Sequence, residues 1–406
     1  GAATNAFDDI EIAQTIMICG CNPTENHPIV GARIKQAVRN GARLIVVDPR
    51  RTELTDYADL HLPVRPGHNV QLFNAMAATI IEEGLVDREF IAARVDDFDA
   101  YASFIRDYAP EQVAEACGVP AAEIRAAARL YAQVKPAMCF HGLGMTEHLQ
   151  GTEGVMTLIN LALLTGNLGK AGSGINPLRG QNNVQGSAHM GCEPVTLAGS
   201  QGFAEAARFE AAWGQPLPTT PGKDLLQMLD AAQAGQFKAL WAFGYDIYLT
   251  LANMAQTAQS LQQLQLVIVQ DLFLNETAKV FGHVFLPAAS VFERDGTFMN
   301  SDRRVQRVRQ AVPPPGDAKP DWWIIQQLAA RMGHPQGFEF DSAEAIWDDV
   351  RQVWPGGAGL SYARLEHESI NWPCPSEDHP GTPVLHRERF AHAERTAPRR
   401  RRASGR

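Results

Sequence analysis

The chain has 406 residues, of which 45% are hydrophobic and 20% charged, a composition typical of a globular protein with about two or three domains. The formal net charge is −9, and residues 395–406 hold six arginines, so the rest of the chain is more acidic still. An acidic body argues against a nucleic-acid partner, and the basic end is expected to be a solvated tail. No apolar run reaches about 18 residues, so we expect no membrane insertion and, without a signal peptide, a cytoplasmic protein.

Strands and helices alternate in the first part of the sequence, and each predicted strand runs into a polar loop. The predicted elements are a strand at 13–19, a helix at 29–39, strands at 43–47 and 58–64, a helix at 70–83, a helical region at 87–133, a strand at 137–141 and a helix at 152–165. Strand–helix–strand units favour a parallel sheet whose polar loops gather at the carboxyl ends of the strands.

The same alternation returns after about residue 190. The predicted elements are a helix at 224–234, a strand at 239–243, a helix at 249–263, a strand at 266–269, a helix at 275–280, a strand at 283–286, and helices at 322–332 and 342–353. Beyond Trp354 the pattern predicts little packing. The fold class is therefore α/β, with two Rossmann-like parallel-sheet halves followed by a partial α+β segment. The expected domains are 1–181, 182–290 and 291–375, with an irregular, Arg-rich tail at 376–406.

Glycines and polar side chains follow the predicted strands of both halves. They are Gly20, Asn22, Asp48, Arg50, Gly67, Asn69, Gly142, Gly144, Gly244, Asp246, Gln270 and Asp271. Ligands of open α/β sheets bind at this edge, and a glycine lets the backbone approach a phosphate, so these residues are candidates for holding a nucleotide with a pyrophosphate. No GxGxxG or Walker A sequence is present, so NAD or ATP is not indicated. The alternative is that the Asp and Asn side chains only cap helices and turns.

The segment Asn176–Gly186 lies between the two halves and carries one charge, on Arg179. Pro177 bars regular helix, and Gly180 permits backbone angles that other residues avoid, so the sequence predicts an ordered polar loop. A guanidinium presents a planar fork that matches a carboxylate, which makes Arg179 a candidate anion-binding residue. The alternative is a structural linker with a surface arginine.

The cysteines and histidines do not form a metal-binding motif. The six cysteines include no Cys-x2-Cys pair, so the sequence encodes neither a zinc ribbon nor an iron–sulfur cluster. His141, His148 and His189 lie near the candidate loops, but without HExxH or paired cysteines a core or surface position is the better interpretation for each. We therefore expect no metal ligand within this chain.

The segment Asn176–Gly186 is preceded by Thr165–Lys170 and Gly174. Together these residues resemble the signature of the catalytic alpha subunits of molybdopterin-dependent formate dehydrogenases, in the DMSO-reductase superfamily. Further matches keep the family's order up to about Cys374: Gly20–Pro23, His27-Pro28, Asp48–Arg51, Val267–Asp271, Leu286-Pro287, Gly296–Phe298 and Arg303–Gln306.

The resemblance implies a bis-molybdopterin guanine dinucleotide cofactor holding molybdenum or tungsten, with one nucleotide arm in each α/β half. It adds Gln181 to the cofactor-binding candidates and gives Arg179 the task of anchoring the carboxylate of formate. The implied reaction oxidises formate to carbon dioxide, and the implied partners are electron-transfer subunits that are iron–sulfur, flavin or NAD-linked.

Three parts of the family pattern are missing, so we expect a fragment that is inactive alone. The N-terminal domain with its [4Fe-4S] cluster, and the Cys or selenocysteine that ligates the metal, would fall upstream of Gly1. The C-terminal domain that caps the pterins is also missing. Two alternatives stay open: a non-catalytic scaffold subunit with a molybdopterin fold, and a related enzyme for another small oxyanion. The second is raised by the segment His189–Pro194, which departs from the expected pattern.

Overall fold

The computed structural model describes residues 2–390, which divide into two compact units. The first unit comprises 2–185, 300–304 and 382–390, and the second comprises 186–299 and 305–381. The predicted domain boundaries at 181, 290 and 375 stay a prediction; residues 305–381 belong to the same compact unit as 186–299. The arginines of 395–406 lie outside the described residues.

A parallel sheet of five strands forms the centre of the first unit. The strands are β1 (Thr15–Cys19), β2 (Arg43–Val47), β3 (Leu60–Leu62), β4 (Ala137–His141) and β5 (Gly174–Pro177). Their order is β3-β2-β1-β4-β5, and all four pairings are parallel. From β1 the chain adds β2 and β3 on one side of the sheet, and it then adds β4 and β5 on the other side. The strand order therefore reverses between β1 and β4.

Helices cover both faces of this sheet because the central strands are apolar at nearly every position. In β1, Ile16 and Ile18 pack into one buried cluster while Met17 and Cys19 pack into the other, as the two-residue period of a strand requires. The helices of this part of the chain are α1 (Pro23–Asn26), α2 (Pro28–Arg39), α3 (Asn69–Glu82), α4 (Arg88–Arg94), α5 (Phe98–Phe104), α6 (Pro110–Cys117), α7 (Ala121–Gln133), α8 (Leu143–Thr146) and α9 (Gly151–Thr165). α2 covers one face, and α3, α7 and α9 contribute to the cluster on the other.

The second unit contains a smaller parallel sheet and a separate three-stranded sheet. The parallel sheet has the order β6-β7-β8, with β6 at Ala239–Phe243, β7 at Leu266–Asp271 and β8 at Val284–Pro287. The other sheet has the order β11-β10-β9, with β9 at Gly296–Met299, β10 at Arg304–Val308 and β11 at Ile370–Asn371. Two parallel sheets flanked by helices confirm the predicted α/β class.

The remaining helices follow in chain order. They are α10 (Val184–His189), α11 (Ala206–Trp213), α12 (Leu225–Gln233), α13 (Ile247–Thr250), α14 (Met254–Gln262), α15 (Glu276–Phe281), α16 (Asp321–Arg331), α17 (Ala343–Val353) and α18 (Tyr362–Leu365). Short 3-10 helices lie at Phe7–Glu11, Glu53–Tyr57, Ile105–Tyr108, Ala198–Ser200, Phe203–Glu205, Val291–Glu293 and Pro355–Gly357. None of the helices within residues 2–390 combines the length and apolar character needed to cross a bilayer.

The structure corrects the predicted loop at Asn176–Gly186, whose irregular part covers only residues 178–183. Asn176 and Pro177 end β5, and α10 begins at Val184. A proline is tolerated there because β5 is an edge strand and Pro177 is its last residue, so no ladder hydrogen bond is lost.

Two other predictions are wrong. The helix predicted at 249–263 is divided into α13 and α14. The backbone becomes extended at Leu251, and Asn253 caps α14 by accepting a hydrogen bond from Gln256 N at 3.1 Å. The region beyond Trp354 is well packed: Leu360, Leu365 and Cys374 are buried in one cluster with Trp354. The apolar residues of this region do not recur at the spacing of a helix or a strand. They are buried by contacts with distant parts of the chain, so the sequence pattern did not predict their burial.

The loops after β1 and β4 touch each other through two glycines. Gly144 donates its backbone N–H to the carbonyl oxygen of Gly20 at 2.9 Å. Gly20 has φ +57°, and a Cβ there would lie 2.6 Å from the carbonyl carbon of Gly144. Glycine at position 20 is therefore required twice, for its left-handed backbone and for this close approach.

We expect Gly20→Ala to destabilise the protein more than Gly84→Ala. Gly84 has φ +68°, and a Cβ at that position would have no atom within 4 Å, so alanine meets only the left-handed strain there, about 1–2 kcal/mol. Gly20→Ala adds the overlap with Gly144, about 1–3 kcal/mol more. Urea unfolding of both variants measures the difference, and equal losses would show that the contact between the two loops is not tight.

Candidate functional site

The carboxyl ends of β1 and β4 meet where the strand order of the first sheet reverses, which is where open α/β sheets bind ligands. Four of the predicted site residues lie there: Gly20 and Asn22 after β1, and Gly142 and Gly144 after β4. Asn69, at the start of α3, joins them because its Nδ2 donates to the carbonyl oxygen of Gly144 at 3.1 Å. The structure thus brings together five candidates that the sequence spreads over more than a hundred positions.

Asn22 and the remaining candidates of the first sheet are held by local hydrogen bonds or are exposed. Asn22 is buried, and its Oδ1 accepts from Thr24 Oγ1 at 2.6 Å. Asp48 follows β2, and its Oδ1 accepts from the backbone N–H of Arg50 at 2.8 Å, which forms an Asx turn. Arg50 and Gly67 are exposed. A cofactor role for these residues stays a prediction.

Arg179 follows β5 at the same edge of the first sheet. The backbone N–H of Leu178 bonds to the carbonyl oxygen of His141 at 2.8 Å, which carries the chain past the end of β4. Arg179 is half-buried, and its backbone is held on both sides: Ser301 Oγ accepts its N–H at 3.1 Å, and His27 Nε2 donates to its carbonyl oxygen at 2.5 Å.

His141 is kept uncharged by its surroundings. Burial, and then the positive charge of Arg179, lower the pKa of His141 from its ordinary value of 6.5 to about 4. The guanidinium of Arg179 therefore lies close enough to act on the imidazole electrostatically. At neutral pH, Arg179 keeps its charge beside a neutral histidine.

The candidates of the second sheet lie at the ends of β6 and β7. Asp246, after β6, accepts hydrogen bonds from Thr277 Oγ1 at 2.6 Å, Thr277 N at 3.2 Å and Glu276 N at 3.1 Å, and it caps α13 through Leu249 N at 3.4 Å. Burial raises the pKa of Asp246, but these hydrogen bonds outweigh it and hold the pKa below the ordinary value. The carboxylate of Asp246 therefore fastens the start of α15 to the end of β6, whereas Gly244 is exposed.

Gln270 and Asp271 end β7 with different surroundings. The carboxylate of Asp271 accepts from Leu272 N at 2.6 Å and from Asn275 Nδ2 at 2.7 Å. Gln270 is 1% exposed, and its Nε2 donates to Asp321 Oδ1 at 2.7 Å. Gln270 is thus the buried member of the set, held by a carboxylate at the start of α16.

Two buried polar atoms at the strand ends have no hydrogen-bond partner among residues 2–390: His141 Nδ1, at the end of β4, and Gln270 Oε1, at the end of β7. A buried polar atom without a partner costs about 1–3 kcal/mol, so a polar ligand at these edges would be stabilised by supplying one. Amide, imidazole and exposed glycine backbone are suitable groups for a pterin or a nucleotide. Within the same residues, no three His, Cys, Asp or Glu side chains are close enough to hold a metal ion.

Sequence reasoning from residue types missed the residues that support Arg179. His27 and Ser301 touch its backbone, although Ser301 is 122 positions away along the chain. One signal was available for His27, because it lies in one of the segments that carry the family resemblance. No sequence signal marked Ser301, which lies just before another such segment. Gln181, which the resemblance indicated, is exposed within the irregular loop.

We expect the protein to lose stability as the pH falls from about 6.5 to about 4, partly because of His141. The pKa of His141 is lower in the folded chain, so the unfolded chain takes up a proton first and unfolding becomes easier across that window. His141→Gln should remove up to about 3 kcal/mol of this dependence. Urea unfolding at pH 7 and pH 4 measures it, with the exposed His367→Gln as control. Equal pH dependence in wild type and His141→Gln would contradict the assignment.

Comparison with known proteins places the chain in a family. Residues 1–331 match the family described as molybdopterin oxidoreductase. The chain is 41% identical, over 96% of its length, to the alpha subunit of a formate dehydrogenase from Methanocaldococcus jannaschii and to formate dehydrogenase H of Escherichia coli. It is 34% identical, over 97% of its length, to the catalytic subunit of the assimilatory nitrate reductase of Bacillus subtilis. The chain spans 58%, 55% and 57% of these relatives, respectively.

A solved structure supports the fold independently. Acetylene hydratase from Pelobacter acetylenicus superimposes with a TM-score of 0.73 over 94% of this chain and 55% of its own, at 20% sequence identity. At that identity the likeness concerns the fold alone. The family match and the identities confirm the resemblance to formate dehydrogenase alpha subunits drawn from the residues around Arg179: the chain belongs to the molybdopterin oxidoreductase family.

Proposed function

We propose that this chain is the core of a formate dehydrogenase catalytic subunit, which oxidises formate to carbon dioxide. The observation that carries the proposal is the 41% identity, over 96% of the chain, to proteins named as formate dehydrogenases. The chain spans somewhat more than half of these relatives, so the activity is proposed for the protein that contains this sequence.

Arg179 is proposed to bind the carboxylate of formate. It is the cation that follows β5 at the carboxyl edge of the first sheet, and the adjacent His141 has a pKa of about 4 and adds no second positive charge at neutral pH. A guanidinium can contact both oxygens of a carboxylate through parallel hydrogen bonds. Because the C–H bond of formate points away from its two oxygens, this contact leaves the C–H bond directed away from Arg179.

The cofactor is proposed to be a bis-molybdopterin guanine dinucleotide with molybdenum or tungsten. Residues at both parallel sheets fit it, since His141 Nδ1 and Gln270 Oε1 are buried and have no partner within residues 2–390. When bound, its metal accepts the two electrons that formate releases on becoming carbon dioxide. The residues proposed to hold it are Gly20, Asn22, Asp48, Arg50, Gly67, Asn69, Gly142, Gly144 and Gln181 at the first sheet, and Gly244, Asp246, Gln270 and Asp271 at the second.

Two further parts of the proposal concern what lies beyond these residues. A [4Fe-4S] cluster and a Cys or selenocysteine ligand to the metal are proposed for the whole protein. Electron-transfer subunits are proposed as partners for two reasons. One of the similar proteins is named as the alpha subunit of its enzyme, and the oxidation of formate releases two electrons that need an acceptor.

A second candidate function is the reduction or oxidation of another small oxyanion. It is supported by the 34% identity to a nitrate reductase catalytic subunit, since nitrate is also a planar monoanion that fits a guanidinium fork. A non-catalytic scaffold is less well supported, because it has no use for a half-buried arginine beside a neutral histidine.

Arg179→Ala in the protein that contains this chain should raise KM for formate about tenfold to a hundredfold, because a charge-assisted two-pronged contact is lost. The exposed Arg39→Ala is the matched control and should leave KM unchanged. Initial rates with a dye as electron acceptor give both values. Unchanged formate use in Arg179→Ala would refute the assigned role, and turnover of nitrate without turnover of formate would favour the second candidate.

Gln270→Leu should weaken cofactor binding by about tenfold, because the buried Oε1 could no longer bond to the ligand. Mass spectrometry of the guanine nucleotide released by denaturation measures the bound cofactor without an activity assay. The exposed Gln262→Leu serves as control. Full cofactor content in Gln270→Leu, at an unchanged melting temperature, would exclude Gln270 from the site.

A further inference from the structure

The segment Asn300–Arg304 belongs to the first unit although β9 and most of β10, on either side of it, belong to the second. It forms a tight turn in which Arg303 N bonds to Asn300 O at 3.0 Å and Arg304 N bonds to Asn300 Oδ1 at 2.9 Å. Arg303 adopts φ +67°, which is uncommon for a residue with a side chain. A backbone held in this region indicates that surrounding contacts determine the conformation.

The guanidinium of Arg303 fastens this turn inside the first unit. Arg303 is fully buried and donates to the carbonyl oxygens of Ala3 at 2.6 Å, Thr382 at 2.9 Å and Pro383 at 3.0 Å. Burial lowers the pKa of Arg303 to about 10, so it stays charged at neutral pH. Several carbonyl oxygens together compensate for the removal of a charge from water, and they fix the turn to two distant parts of the chain.

Two neighbours of Arg303 also fasten the turn to residues near the start of the chain. Asp302 is 1% exposed, and its Oδ2 accepts the backbone N–H of Phe7 at 3.0 Å. Arg304 forms an ion pair with Asp8 at 2.8 Å. Asp302 and Arg304 thus bind Phe7 and Asp8, two consecutive residues near the start of the chain. Ser301, which precedes these three side chains, is thereby placed on a rigid support.

Ser301 bonds to Arg179 rather than to the start of the chain. Its Oγ accepts the backbone N–H of Arg179 at 3.1 Å, while His27 Nε2 donates to the carbonyl oxygen of Arg179 at 2.5 Å. The next residue, Gly180, is exposed, and a Cβ there would have no atom within 4 Å. The backbone of Arg179 is thus fixed by two side chains just before the loop becomes open.

We propose that Ser301 is a positioning residue for Arg179, which it holds by the backbone so that the guanidinium stays in place for the carboxylate of the substrate. This inference rests on the proposed function of Arg179. A side chain is placed by its Cα, and a displacement of about 1 Å at a binding group is enough to weaken catalysis strongly. Without the Ser301 hydroxyl, the N–H of Arg179 loses its acceptor and the loop start can adopt other conformations.

The test is Ser301→Ala in the protein that contains this chain, with three measurements. Hydrogen exchange at the backbone amide of Arg179 should become at least about tenfold faster, because its acceptor is removed. KM for formate should rise about threefold to tenfold while kcat changes less. The melting temperature should fall by no more than about 2–4 °C, because a single hydrogen bond is lost. Ser301→Thr, which keeps a hydroxyl, should restore slow exchange and low KM. The exposed Ser103→Ala is the control for all three.

The outcomes separate this inference from the proposed function. Unchanged exchange at Arg179 in Ser301→Ala overturns the positioning role, whatever the substrate is. Faster exchange with unchanged KM also overturns it, provided that Arg179→Ala raises KM. If Arg179→Ala leaves formate use unchanged, the proposed function fails, and the exchange measurement alone then decides whether Ser301 holds Arg179. If Ser301→Ala does not fold, Ser301→Cys takes its place, because cysteine has a similar volume and its sulfur is a weaker acceptor. Amide exchange at Arg179 and KM for formate are then expected to rise in the same direction but by a smaller factor.

Discussion

The contact between the backbones of Gly20 and Gly144 is the constraint on which the candidate site of the first sheet depends. It joins the loops after β1 and β4 at the point where the strand order reverses, with 2.9 Å between Gly144 N and Gly20 O. The carbonyl oxygen of Gly144 in turn accepts Asn69 Nδ2 at 3.1 Å. Any side chain at position 20 would push these loops apart, so the shape of the edge is set by two residues without side chains.

At this edge the charge of Arg179 lies beside an uncharged histidine. His141, next to Arg179, is neutral over the ordinary pH range because burial and the Arg179 charge oppose its protonation. Arg303 keeps its charge but is enclosed by carbonyl oxygens and supports the fold. The polar groups thus divide into those satisfied within the chain, such as Asp246, and the few buried atoms that a ligand could satisfy, such as Gln270 Oε1.

Much of the fold followed from local pattern. The strands at 43–47, 137–141 and 239–243 were predicted with the bounds that the structure has, because continuous apolar runs ending in polar loops are typical of buried parallel strands. The pattern failed where burial is not periodic. Leu360 and Cys374 are buried by contact with Trp354, and no helix or strand period announces it. At Asn253 a capping side chain divided a continuous helical pattern, and the pattern alone did not reveal the break.

The sequence by itself determined the α/β class, the polar ends of the strands and the presence of a single charge in the segment around Arg179. Those properties are local, since strand and helix periods and the chemistry of a guanidinium do not depend on distant residues. Only the tertiary structure decided that Ser301 and His27 hold Arg179 and that His141 is neutral. It also decided that Asp246 accepts backbone N–H groups from the first turns of two helices, and that Gln270 Oε1 is buried without a partner among residues 2–390. Each of these depends on which atoms lie within about 3 Å of one another, and folding rather than sequence spacing sets that distance.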